Sequence, residues 1–135
     1  MSTILKSKTW AGVTSLSTKT GIPKRGEIWL VNLDPTIGAE IKKTRPVVVV
    51  SSDAMGKLPI KLIAPVTGWD NRYAGNIWHV KIEPDTTNGL TKISAVDVLQ
   101  IRGVDTGRFI NKVGRVPAVM MDDIAAAIAA VVEYL

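Results

Sequence analysis

Residues 24–53 read KRGEIWLVNLDPTIGAEIKKTRPVVVVSSD, and this stretch decides how the rest of the chain is understood. Its first part alternates. Over 27–33, Ile28, Leu30 and Asn32 point one way while Trp29, Val31 and Leu33 point the other, the two-residue period of a strand. A loop with Pro35 and Gly38 follows, carrying one acid and three cations: Glu40, Lys42, Lys43 and Arg45. The chain then passes Pro46 into Val47, Val48, Val49 and Val50, an apolar run expected of a strand buried on both faces. A charged loop anchored between two apolar strands is where a small β-domain would place chemistry on a phosphate.

Moving outward, the β pattern continues. Residues 60–66 form a third apolar run, interrupted by Pro65. Over 76–82, Ile77, His79 and Lys81 alternate with Trp78, Val80 and Ile82. Asn88-Gly89 marks a turn. Residues 95–102 read as one further strand, with Val96, Val98 and Gln100 on one side and Asp97, Leu99 and Ile101 on the other. Residues 109–113 form a short last strand or turn. Pro117 suits the first turn of a helix, and Asp122 and Asp123 complement its N-terminal dipole. Ile124, Ile128, Val131 and Leu135 give that helix an apolar stripe. Five or six short strands and one terminal helix predict a small, strongly bent barrel.

The whole-chain numbers fit one domain: 135 residues, 46% of them hydrophobic, give room for a core. Seventeen Lys and Arg against 12 Asp and Glu give a net charge of +5, consistent with a polyanionic partner. The absence of Cys removes disulfides, thiolate metal sites and cysteine nucleophiles, and suits a reducing compartment. The longest apolar run, 124–132, falls far short of the ~20 residues of a membrane span. No signal-peptide h-region is present at the N-terminus, so the expected location is cytoplasmic. Residues 1–23 are rich in Ser and Thr, carry Lys6, Lys8 and Lys19 and lack acids. They read as a flexible or loosely docked extension, with a basic nucleic-acid arm as the alternative. The domain proper runs over 24–135.

RGEIW, then D-P-x-x-G-x-E, then RPVVVVSSD, followed by Ile63-Ala64-Pro65-Val66-Thr67 and Leu99-Gln100-Ile101-Arg102, together resemble the MazF/PemK (Kid-type) toxins of bacterial type II toxin–antitoxin modules. The resemblance covers nearly the whole domain. It implies a mainly β fold, an SH3-like barrel of five to seven strands with a C-terminal α-helix. It implies a homodimeric endoribonuclease, an mRNA interferase that cleaves single-stranded RNA at short sequences without metal or cofactor. It also implies a cognate antitoxin with an acidic, partly disordered segment, operator DNA bound only through the antitoxin complex, and no membrane partner.

Metal-free cleavage needs a base for the 2′-hydroxyl, a cation for the phosphorane and an acid for the leaving 5′-oxygen. Arg45 is the best cation, since its guanidinium forks across two phosphate oxygens and Pro46 restricts it to extended backbone angles. It matches the family's catalytic arginine. Thr67, at a strand end beside Gly68, can hydrogen-bond a phosphate and falls at the family's catalytic threonine. Glu40 matches a family loop acid, acting as base or ordering the loop through Lys42 or Lys43. Ala39 stands where many relatives carry Ser, and the loop is more basic than in some of them.

Lys42 and Lys43 are candidate RNA-binding cations. Trp69 and Tyr73, with Arg72 between them, are a candidate stacking platform for unpaired bases, or else aromatics packed on the barrel. Trp29 and Trp78 read as core or interface residues. His79 is the only histidine and reads as structural, which excludes a two-histidine mechanism within one chain. The aspartates are scattered, without the paired spacing of a two-metal nuclease. Two alternatives stay open: an SH3-like nucleic-acid-binding module without catalysis, and an antitoxin-docking transcriptional co-repressor.

Overall fold

The computed structural model describes residues 21–134, so the extension read over 1–23 lies outside the described residues up to residue 20. Among the described residues seven strands are formed: β1 (Glu27–Asn32), β2 (Thr44–Val49), β3 (Ile60–Gly68), β4 (His79–Ile82), β5 (Ser94–Asp97), β6 (Arg102–Asp105) and β7 (Phe109–Arg115). The α-helix α1 (Ala118–Val131) follows them. The strands lie in the order β4-β5-β3-β2-β1-β7, with β6 also on β3, and every pairing is antiparallel. The end strands β4 and β7 are not paired with each other, so the mainly β, SH3-like layout is a bent open sheet rather than a hydrogen-bonded closed barrel. Bending is helped by two register shifts between β1 and β7, at Ile28/Trp29 and Leu30/Val31, since bulges increase local twist.

The alternation in β1 survives intact, and both of its faces are buried. Ile28 and Leu30 enter one apolar cluster with Val48, Val66, Val96 and the helix residues Met121 and Ile124. Trp29, Val31 and Leu33 enter another with Val47, Val49, Ile63 and Phe109. Each fully buried branched or aromatic side chain of this kind contributes about 1.5–3 kcal/mol. Glu27 ties β1 to β7: its carboxylate accepts from Trp29 Nε1 at 3.0 Å and pairs with Lys112 Nζ at 2.8 Å. Burial pushes the Glu27 carboxyl up, but the hydrogen bonds from Lys112, Trp29 and the Lys24 N–H outweigh it and leave its pKa below the ordinary value.

Four sequence expectations are corrected. Pro65 does not interrupt β3. On the edge away from β2, Ile60–Ile63 pair with β6 and Val66–Gly68 with β5, so Pro65 falls in the gap where no strand partners it. The strand expected over 95–102 is two strands, because the Asp97 carboxylate accepts from the Leu99 N–H at 3.0 Å and turns Val98–Gln100 into a 3-10 helix. The strand expected over 76–82 begins only at His79, since Asn76 and its neighbours form a turn, with the His79 N–H donating to the Asn76 carbonyl at 3.3 Å. The short element at 109–113 is a full strand reaching Arg115.

Pro117 caps α1 from just outside it. Ile124 is fully buried; Ile128 and Val131 pack against the first cluster at the side, and Leu135 lies outside the described residues. The Asn88-Gly89 turn forms, with Gly89 at φ +72. It presses on β7 so closely that a Cβ there would sit 2.5 Å from the Val113 carbonyl. Trp29 is a core residue, and Trp78 packs at the edge of the first cluster. No helix among the described residues is long and apolar enough to cross a membrane.

Candidate functional site

The loop between β1 and β2 is closed at its stem by its own backbone. The Leu33 N–H donates to the Lys43 carbonyl at 3.0 Å, and the Lys43 N–H donates to Asp34 Oδ1 at 3.1 Å. Lys43 adopts φ +71 to make this closure, an uncommon conformation for a side chain other than Gly. Two arginines brace the stem, Arg102 from β6 and Arg108 from the turn before β7: Arg102 Nη1 donates to the Leu33 carbonyl at 3.1 Å, and Arg108 Nη1 to the carbonyls of Asn32, at 3.1 Å, and Asp34. Farther out, Glu40 Oε1 accepts from the Ile37 N–H at 2.7 Å. Glu40 thus orders the loop, but through Ile37 rather than through Lys42 or Lys43. Gln100 then reaches in from the 3-10 helix, accepting from the Ile41 N–H at 2.6 Å and donating to the Ala39 carbonyl at 3.4 Å.

Strand register sends Arg45 and Thr67 toward the same end of the β2–β3 pair. The β2–β3 ladder pairs Val47 with Pro65, Val48 with Ala64 and Val49 with Ile63. Carried on past its last pair, that register sets Arg45 opposite Thr67. Two-residue alternation puts both side chains on the face of Val47, Val49 and Ile63, at the end of the row formed by the second apolar cluster. Both residues are half-buried. Arg45 Nε donates to the Lys42 carbonyl at 3.2 Å. Among the described residues its two terminal nitrogens have no hydrogen-bond partner, and neither has the Thr67 hydroxyl. A fixed guanidinium with a free fork beside a free hydroxyl is a donor set suited to a tetrahedral anion.

A cleft of about 380 Å³ is walled by Glu40, Ile41, Pro65, Leu99, Gln100 and Arg102 among others, and Pro65 links it to the end of β3 that carries Thr67. Pro65 is the residue before Thr67 on the same face. Glu40 is the carboxylate in the wall. Lys42 and Lys43 are exposed on the loop.

Trp69, Arg72 and Tyr73 form a separate group on the β3–β4 connection. The aromatics do meet, edge to face at 5.8 Å, but the cation expected among them is engaged elsewhere: Arg72 pairs with Asp70 at 2.9 Å. Those hydrogen bonds hold the Asp70 carboxyl below its usual range. The cation over the Trp69 ring is Lys81, 5.0 Å from the centroid. One face of Tyr73 is covered by His79, stacked at 3.8 Å. His79 is itself fixed, with Nδ1 3.1 Å from the Asn76 amide and Nε2 3.6 Å from Asp97 Oδ2. Burial raises the Asp97 pKa, against the opposing influence of His79 and the Leu99 and Gln100 N–H groups. His79 is therefore structural here. Among the described residues no group of three or more His, Cys, Asp or Glu is placed to hold a metal ion.

Gln100, Arg102 and Arg108 carry the loop and were assigned no site role from the sequence, where Gln100 and Arg102 entered only through the Leu99-Gln100-Ile101-Arg102 motif. The only signal was the polar Gln100-x-Arg102 pair in an apolar stretch, because their contacts to the loop span 59 residues or more.

Comparison with known proteins places this geometry. A family model described as PemK-like, MazF-like toxin of type II toxin-antitoxin system matches residues 24–132. A Mycobacterium tuberculosis protein named endoribonuclease MazF9 is 36% identical over 107 residues, covering 70% of this chain and 83% of the relative. Endoribonuclease EndoA of Bacillus subtilis is 30% identical over 108 residues, covering 79% and 91%. Among solved structures, MazF from Deinococcus radiodurans has a TM-score of 0.70 at 21% identity over 84% of this chain and 99% of that one. A mycobacterial endoribonuclease in complex with its cognate antitoxin gives 0.66 at 18% identity over 84% and 98%. The match over residues 24–132 carries the conclusion: the chain belongs to the family of PemK-like, MazF-like toxins of type II toxin–antitoxin systems.

Proposed function

We propose that this chain is a toxin that cleaves single-stranded RNA, using the RNA's own 2′-hydroxyl as nucleophile. The observation that supports this reading is that the Arg45 guanidinium fork and the Thr67 hydroxyl, both without hydrogen-bond partners among the described residues, lie by strand register on one face of β2 and β3, the face of Pro65 in the cleft wall. Arg45 and Thr67 hold the phosphate, and Arg45 balances the charge that grows on its oxygens in the transition state. The 2′-oxygen attacks phosphorus and the bond to the 5′-oxygen breaks. The 2′-hydroxyl gives up its proton to Glu40, the carboxylate of the cleft, and the leaving 5′-oxygen takes a proton back from Glu40 directly or through water, so no net proton is consumed. The products are a 2′,3′-cyclic phosphate and a free 5′-hydroxyl.

Lys42 and Lys43 contribute long-range attraction to the backbone, and Trp69 and Tyr73 supply ring surface for bases. Arg72, held by Asp70, contributes positive charge only in so far as that exposed pair opens. The relatives' names support the endoribonuclease activity. The solved complex of a mycobacterial endoribonuclease with its antitoxin supports a cognate antitoxin here. Its acidic, partly disordered segment competes with RNA for the cationic loop. The working form is a homodimer in the cytoplasm, and operator DNA is reached only through the antitoxin complex. The testing experiment is incubation of the purified protein with a long mixed-sequence RNA and mapping of the 5′ ends. Discrete cuts bearing 5′-hydroxyls are expected, and an RNA that is bound but left whole would favour the non-catalytic binding module instead.

A further inference from the structure

We infer that Gln100 is a positioning residue that aims the Arg45 guanidinium by holding the far half of the β1–β2 loop. The inference rests on the proposed role of Arg45.

The loop has two sets of anchors. Its stem, near Asn32, Leu33, Asp34 and Lys43, is held by the stem's own hydrogen bonds and by Arg102 and Arg108. Its far half, around Ala39–Ile41, is tied to the rest of the protein by side-chain hydrogen bonds from the Gln100 amide alone among the described residues, with Ile41 packing on the second apolar cluster. Lys42 follows Ile41 directly, and its carbonyl is the acceptor for Arg45 Nε at 3.2 Å. A connected path therefore runs from the Gln100 Oε1 to the Ile41 N–H, to the Lys42 carbonyl and to Arg45. If Ile41 shifts, the carbonyl that turns the guanidinium shifts with it.

Gln100 itself sits on a firm mount. It ends the 3-10 helix Val98–Gln100, whose start is capped by Asp97, a 6% exposed residue. Both ends of its amide are committed to loop backbone, one accepting and one donating. Its amide thus serves the loop first, although it also lines the cleft. An amide is also the side chain the site demands. A carboxylate would keep the bond from Ile41 and face the Ala39 carbonyl with no proton to offer.

The experiment uses the full chain and compares Gln100→Met, Gln100→Glu, Arg45→Ala and the Arg45→Ala/Gln100→Met double variant on an RNA with one mapped cut. Gln100→Met, close in volume and without the hydrogen bonds, is expected to lower kcat by roughly 10- to 100-fold through misplacement, with KM nearly unchanged. Amide exchange at Ile41 should speed up in Gln100→Met and stay slow in Gln100→Glu, and kcat of Gln100→Glu should exceed that of Gln100→Met. In the Arg45→Ala background Gln100→Met should cost nothing further, because the group it aims is gone. A wild-type kcat in Gln100→Met beside a crippled Arg45→Ala overturns this inference alone. So does an equal loss in both backgrounds, or a Gln100→Glu chain slower than Gln100→Met. Arg45→Ala cutting at the wild-type rate overturns the assignment of Arg45 and this inference with it.

Discussion

Arg45 Nε donates to the carbonyl of Lys42, three residues earlier, at 3.2 Å. The bond uses the guanidinium nitrogen nearest the side-chain stem and leaves the outer fork without a hydrogen-bond partner among the described residues. A lysine has no counterpart to this arrangement, since its ammonium cannot be held by one donor while presenting a planar pair of others.

Arg45→Ala is accordingly expected to slow RNA cleavage by roughly 10²–10³ with the fold intact, and Arg45→Lys should recover little of that loss. Single-turnover cleavage rates, with circular dichroism as the folding control, check both. An Arg45→Lys enzyme at wild-type speed would mean that the site needs only a point charge.

Thr67 offers one neutral hydroxyl from a backbone paired with Ala95. Thr67→Val keeps the β-branched shape and removes the donor, so the fold should hold. The expected loss is about 1.5 kcal/mol, roughly tenfold in rate, the low end for one hydrogen bond from a neutral group to a charged one. A loss as large as that of Arg45→Ala would place Thr67 in the proton transfer rather than in phosphate binding.

Glu27 makes stability depend on pH in a defined direction. Its folded pKa is depressed, so its contribution is present above the ordinary carboxylate pKa and fades as pH falls through the lower folded value. The unfolding midpoint of the wild type should therefore drop on acidification below about pH 4, and Glu27→Gln should show a shallower drop. Partial exposure of the Lys112 pair keeps the difference at roughly 1 kcal/mol or less. Parallel pH profiles in thermal unfolding would contradict the assignment.

Gly89→Ala is expected to be among the costliest single-methyl changes in the chain. The position has φ +72, and the new Cβ would lie 2.5 Å from the Val113 carbonyl, backbone that has nowhere to move. A destabilisation above about 1 kcal/mol is expected from the conformational strain, with the clash adding to it. Denaturant unfolding reads it directly. Gly75→Ala, with open space around it, is the matched control and should stay within about 0.5 kcal/mol of wild type.

The parts of the fold that were legible in the sequence are those fixed by local periodicity. The alternation of residues 27–33 and the valine run at 47–50 sort correctly between two buried clusters, because each strand writes its own burial into its pattern. The breaks were missed where one polar side chain overrides the pattern. Asp97 sits in register with an alternating run, yet its carboxylate finds the Leu99 N–H and ends the strand. Pro65 misled in the opposite sense, because its missing N–H falls in a gap between β5 and β6 that only the tertiary arrangement creates. The site residues Arg45, Thr67 and Glu40 came from short motifs in order along the chain. The braces Gln100, Arg102 and Arg108 act on backbone carbonyls and amides 59 or more residues away, where no spacing rule reaches. Arg72 pairs for a local reason with Asp70, two residues before it, a partner the aromatic-cation spacing did not foretell.

The central claim is that the RNA's 2′-hydroxyl is the nucleophile, with Arg45 and Thr67 on the phosphate. Its most direct measurement is cleavage of an RNA carrying a single 2′-deoxy nucleotide immediately 5′ to a mapped cut, in EDTA, with end-group analysis of the products. The account predicts no cut at the substituted position, while the all-ribose control gives a 2′,3′-cyclic phosphate and a 5′-hydroxyl. Cleavage at the deoxy position, or a 5′-phosphate on the product, would contradict it.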